Sequence, residues 1–179
     1  ASAAYESSLG YLSVGAQLLD ERVWDAHYDL AFDLYREFAT VQYVNSNYEH
    51  SQELIALLLS KARTDLEKAE LYNILIVQYT LVARYGDAID AGRRALKLLS
   101  ASLAEEDLEK ELAAELERHR VLLGERRPLS LADAPEISDP EKRVALTILA
   151  HMLVPARYTD SVFFALIAVI SVNLSITYG

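Results

Sequence analysis

This chain is written twice over part of its length. Residues 34–62, LYREFATVQYVNSNYEHSQELIALLLSKA, recur in approximate form at 71–99, LYNILIVQYTLVARYGDAIDAGRRALKLL. Leu34, Tyr35, Tyr48 and Leu59 meet Leu71, Tyr72, Tyr85 and Leu96 at a spacing of 37, and Val41-Gln42-Tyr43 meets Val77-Gln78-Tyr79 at 36. A period in the thirties built from two apolar-periodic helices marks a stacked helical repeat. Each unit of such a stack buries its apolar face only against its neighbours and leaves a long surface for partners.

Composition agrees with an all-helical chain. Hydrophobic residues make up 52% of the 179, against six Gly and four Pro, so long stretches run without the residues that break helices. The expected fold is all-α, with about eight helices in stacked antiparallel pairs forming an α-α superhelix over a single domain, 1–179. The best repeats are 32–63 and 69–100, and an irregular loop is expected at 124–138. No Cys is present, which excludes disulfides and thiolate metal sites and makes a cytoplasmic location the expectation. A formal charge of −10 argues against nucleic acid as a partner, because Arg93-Arg94, Arg118 with Arg120, and Arg126-Arg127 are too short to track a phosphate backbone. The N-terminus carries no basic and apolar run of the secretory kind. A start without Met and an end inside an apolar segment suit a piece of a longer array.

Helix boundaries follow from caps and periodicity. A first helix is predicted over 3–19 and a second over 24–44, ending at the Asn45-Ser46-Asn47 turn, with Asn47 capping the third. Thr64 and Glu67 have the spacing of a capping box, which starts a helix near 65 that runs to about 83; the next covers 85–99. Ser102 and Glu105 form a second box opening an acidic helix lined by Leu108, Leu112, Leu116 and Leu123. Ser138 or Asp139 with Pro140 starts another helix, which should stop near Val154 before Pro155, and Asp160 caps the last, to about Tyr178.

In pattern the copies resemble tetratricopeptide repeats, whose period is about 34 residues. Tyr35, Ala39, Tyr48 and Ser51 match that motif's aromatic and small positions in the first copy, as Tyr72, Tyr85, Ala88 and Ala95 do in the second; Leu58 and Ile76 depart from it. A second resemblance is carried by EKAELYNILIVQYT (67–80), RYGDAIDAGRRALKLL (84–99), APEISDPEKR (134–143), VPARYTD (154–160) and VNLSITYG (172–179). These runs look like the tetratricopeptide-like helical middle of large bacterial signalling proteins, which join it to a serine/threonine kinase, a P-loop ATPase, a GAF domain and a histidine kinase. That resemblance implies a scaffold or regulatory spacer in signal transduction, with kinase and ATPase activity in other domains and a protein as partner.

Catalytic motifs are absent: there is no GxxxxGK[ST], HExxH or GxSxG run. No catalytic residue, cofactor or metal is expected. Glu115 and His119 stand at i and i+4, a spacing for two metal ligands but more simply for a surface ion pair. His27 and His151 fall in apolar-periodic helices and are expected packed or hydrogen-bonded, while His50 has no evident partner. Tyr35, Tyr48, Tyr72 and Tyr85 are expected to pack between repeats.

The tetratricopeptide likeness assigns a partner-binding inner face: Asp33, Arg36, Thr40, Tyr43 and Asn47, then Glu70, Asn73, Val77, Thr80 and Arg84. A protein is the expected occupant, and a small molecule sensed between helices is the alternative. The apolar run Val162–Ile170 falls short of the about 20 residues of a membrane span, so no membrane insertion is expected. A helix apolar all round asks for neighbours on both sides; without them its exposed surface would make a homodimer. Asn173-Leu174-Ser175 has the form of a glycosylation sequon, which carries no weight in a Cys-free cytosolic chain.

Overall fold

The structure is a computed structural model and describes residues 3–124 and 137–178. Among those residues it is all-α: α1 (Ala3–Leu18), α2 (Val23–Ala26), α3 (Tyr28–Val44), α4 (Tyr48–Lys61), α5 (Asp65–Leu81), α6 (Tyr85–Leu98), α7 (Leu108–Leu123), α8 (Pro140–Thr159) and α9 (Ser161–Tyr178). The chain divides into two compact units, Ala1–Glu67 and Lys68–Gly179, so each copy of the repeat has its helical hairpin centred in a different unit. Most of the expected loop at 124–138 lies outside the described residues.

The duplication is visible in burial. Ala39, Ser51 and Leu58 in the first copy and Ile76, Ala88 and Ala95 in the second are all fully excluded from solvent. The departures from the repeat motif, Leu58 and Ile76, are thus core residues like the small side chains they replace. Turn geometry repeats too. Ser46 and Ala83 both adopt positive φ, 66° and 58°, and each hairpin turn closes with the paired bonds of a Schellman motif. Asn47 N–H bonds Gln42 O and Ser46 N–H bonds Tyr43 O; Arg84 N–H bonds Tyr79 O and Ala83 N–H bonds Thr80 O.

In the first unit α1 and α4 both pack on α3. The helix expected over 24–44 is broken at His27, whose backbone leaves the helical region at φ −142°, ψ 54°. Neither Gly nor Pro marks that break in the sequence; long-range contacts hold it. Arg63 lies over the Tyr28 ring at 3.8 Å and donates to the Trp24 carbonyl at 2.8 Å. Trp24 meets Tyr28 edge-on and stacks on Tyr35 at 5.4 Å. The capping box forms as expected: Glu67 accepts from Thr64 N–H at 2.8 Å and from Arg63 N–H at 2.7 Å, and Glu67 N–H donates to Thr64 Oγ1 at 3.1 Å.

In the second unit α6 packs on α8, α8 on α9, and α9 on α7. Spatial order therefore parts from chain order, because α7 is seated beyond α9. This supplies, from within the chain, a second neighbour for the helix that is apolar all round. By length and composition alone α9 could cross a membrane; here α7 and α8 both pack against it.

Two further boundaries, and one face, differ from expectation. Ser102 and Glu105 do not open a helix: Leu103 is drawn into the core, Arg93 donates to the Ala104 carbonyl at 2.8 Å, and α7 begins only after Asp107, itself at φ 53°. The capping box is outweighed by burial of that leucine. Pro155 does not stop α8, which continues to Thr159. A proline inside a helix costs about 3 kcal/mol, and the burial of Met152, Pro155 and Ala156 on the same stripe offsets it. Leu116 is exposed, whereas Leu108, Leu112, Glu115, His119 and Leu122 form the partly buried stripe of α7. Asp139 and Asp160 cap α8 and α9 as expected, accepting from Glu141 N–H at 2.9 Å and Val162 N–H at 2.8 Å.

Candidate functional site

The partner face expected on the first copy runs along α3. Asp33 and Thr40 are exposed, Arg36 and Tyr43 half-buried, and Asn47 exposed in the turn beyond. Their spacing of three and four keeps them on one side of the helix. Arg36 pairs with Asp33 at 2.8 Å, and Thr40 Oγ1 donates to the Arg36 carbonyl at 3.1 Å. Tyr43 lies against Tyr48 at 5.1 Å; burial first, then Tyr48, pushes its hydroxyl pKa up. Tyr48 itself is 43% exposed, so it faces solvent rather than the packed interior expected for it.

Asn47 does not cap α4 with its side chain. Its Nδ2 donates instead to Oε1 of the buried Gln42 at 2.7 Å, and Gln42 Nε2 lies 2.9 Å from His50 Nδ1. His50 therefore has a partner that the sequence did not suggest, and the edge of Phe38 adds a ring contact at 5.5 Å. Beside this chain of polar groups lies an open groove of about 660 Å³ between α1, α3 and α4, lined by Leu9, Ser13, Phe38 and Gln42 among others.

On the second copy Glu70, Asn73 and Thr80 are half-buried, and Val77 and Arg84 are exposed. His151 of α8 donates from Nδ1 to Asn73 Oδ1 at 2.8 Å; His27, by contrast, is exposed at the α2–α3 break. Thr80 Oγ1 donates to the Ile76 carbonyl at 2.7 Å. Arg84 lies over the Tyr79 ring at 4.7 Å and bonds Asp87 at 2.8 Å. That hydrogen bond raises the Arg84 pKa and lowers the Asp87 pKa. Tyr85 stacks on Tyr158 of α8, with centroids 4.9 Å apart and an interplanar angle of 8°.

Glu115 and His119 turn out not to pair with each other. Both face Asn173, which is 1% exposed on α9. Asn173 Nδ2 donates to Glu115 Oε2 at 2.7 Å and to the Glu115 carbonyl at 3.0 Å, and Asn173 Oδ1 lies 2.9 Å from His119 Nδ1. Both Glu115 atoms can only accept, so the amide NH2 must face them and the amide oxygen must face His119; Nδ1 of His119 therefore carries the proton. The sequon set aside above has its Asn173 buried and its amide occupied. The only hint in the sequence was a lone amide interrupting an apolar helix.

An open groove of about 620 Å³ brings Glu105, Glu106, Asp107, Glu109 and Asp160 to the N-terminal end of α7, with Lys110 among them. Among the described residues no group of three or more His, Asp or Glu side chains is arranged to hold a metal ion.

No family model matches the chain, and no solved structure matches it. Hybrid signal transduction histidine kinase G of Dictyostelium discoideum is 31% identical over 78 residues, 44% of this chain and 2% of that protein. The chain thus spans a small fraction of the relative it matches. The similarity suggests a signal-transduction context.

Proposed function

We propose that this chain is a non-catalytic, tetratricopeptide-like helical scaffold that positions or regulates kinase and ATPase domains of a cytoplasmic, bacterial-type signalling protein through protein contacts. The observation that carries the reading is the pair of partly exposed stripes, Asp33 to Asn47 and Glu70 to Arg84, at equivalent positions of the two copies, the second touched by α8 at Asn73. Each stripe mixes a cation, a carboxylate, hydrogen-bonding side chains and an apolar or aromatic group, a set suited to a folded protein surface. The partial similarity to a signalling histidine kinase supports the context. The chemistry of the parent protein is assigned in this reading to its other domains.

Calorimetric titration of the chain with the kinase and ATPase domains of its full-length protein tests this. Thr40→Arg and Val77→Arg introduce charge on each stripe without entering the core and should weaken binding at least tenfold with the circular dichroism spectrum unchanged. Binding indifferent to both substitutions, or saturable binding of a metabolite with no domain contact, would overturn the proposal.

A further inference from the structure

We propose that α7 is a releasable strap over α9, and that α9 is a docking stripe for an amphipathic helix of a protein partner, with Asn173 as its selectivity element. Four observations lead there. α7 buries none of its residues fully, and the helix it packs on is α9. Its contact stripe, Leu108, Leu112, Glu115, His119 and Leu122, follows the alternating spacing of four and three of a coiled-coil seam, a surface that another amphipathic helix of like spacing can match. It is bounded by non-helical chain at 99–107 and separated from Pro140 by the sixteen residues 124–139. The seam's centre is polar, with the amide of Asn173 saturated by an acceptor and a donor four residues apart.

That last feature defines the occupant. A helix laid on α9 without an acceptor for Nδ2 and a donor for Oδ1 leaves a buried amide unsatisfied, and the loss falls on the wrong helix only. A buried asparagine sets register and partner choice in coiled coils by the same physics. The partner helix accordingly carries leucines at α7's spacing, with a carboxylate and a hydrogen-bond donor at i and i+4 between them. The inference does not depend on which domains the scaffold serves.

Hydrogen exchange on the full chain is the first measurement. Backbone amides in the second half of α7 should exchange at least tenfold faster than the buried stretches of α8 and α9, through an opening that leaves those helices protected. The second is fluorescence anisotropy with a labelled synthetic peptide of residues 106–124. It should bind the full chain, and a peptide with Glu115→Ala and His119→Ala should bind at least tenfold more weakly, while a peptide altered at the exposed Glu109→Gln should bind as the parent does. In an Asn173→Leu chain, the two peptides should bind within threefold of each other. Exchange of α7 together with α8 and α9 in one global event would overturn the strap, and equal binding of both peptides to the unaltered chain would overturn the selectivity.

Discussion

Gly92 of α6 lies directly beneath Met152 of α8. A Cβ at Gly92 would overlap Met152 Sδ and stand 2.7 Å from its Cγ and Cε, and Met152 is fully buried. Ala88, Ala91 and Ala95 continue this small-residue face of α6, with each of them buried. A methyl group at Gly92 would have to displace the Met152 side chain, which is flexible but fully enclosed, so the room must come from its buried neighbours.

Gly92→Ala should lower the stability of the second unit by about 1–3 kcal/mol, the usual cost of overpacking. The helical preference of Ala over Gly, about 1 kcal/mol in the other direction, reduces but does not cancel this. Urea denaturation followed by circular dichroism reads the change. In a Met152→Ala background the cost should vanish; an unchanged cost there would rule out the overlap as its cause.

Ala83→Gly should stabilise the chain by about 0.5–1 kcal/mol. Ala83 sits at φ 58°, where the left-handed conformation costs an L-residue about 1–2 kcal/mol, partly offset by the greater freedom glycine has when unfolded. A thermal melt that moves down instead of up would contradict the turn geometry.

Glu67 makes the first unit acid-sensitive. Burial alone would raise its pKa, but hydrogen bonds from the backbone of Thr64 and Arg63 and from the Tyr28 and Thr64 hydroxyls hold it below the ordinary carboxylate value. A carboxyl whose folded pKa lies below its unfolded one stabilises the fold above the unfolded pKa of about 4.3. That contribution is lost as pH falls through the lower, folded value. The urea midpoint should therefore drop between pH 7 and pH 3 by less in Glu67→Gln than in the parent chain, and an equal drop would exclude Glu67 from the acid response.

Ser51 and Ala88 occupy the same place in the two copies, and Ser51 alone adds a buried hydrogen bond, from Oγ to the Ala39 carbonyl at 2.7 Å. Ser51→Ala should cost about 0.5–1 kcal/mol, at the low end for a buried bond because the change makes the first copy like the second. Guanidinium denaturation checks this; a loss above about 3 kcal/mol would mean that more than this bond was removed.

Local signals were readable where the deciding groups are close in sequence. The Thr64–Glu67 box, the Asp139 and Asp160 caps and the Asn45–Asn47 turn each join groups within a few residues, and the structure has all of them. The break at His27, the continuation through Pro155 and the failure of the Ser102 box were not readable. Each depends on a side chain brought from elsewhere, Arg63 on Trp24, the neighbours of Met152 and Ala156, and Arg93 on Ala104. Periodicity fixes the side of a helix, which is why Asp33, Arg36, Thr40 and Tyr43 share one side of α3. The Asn173 cluster could not be read that way, since Glu115 and Asn173 stand 58 residues apart.

By itself the sequence determined that the chain is helical, where most helices begin, and that 34–62 and 71–99 form like pairs, because caps and apolar periodicity act through bonds and faces local to each helix. Tertiary structure decided that α7 lies on α9, that Glu115 and His119 serve one amide, and that Gly92 admits Met152. Those outcomes turn on which apolar surfaces meet, and burial is shared among residues whose separation along the chain carries no period to read.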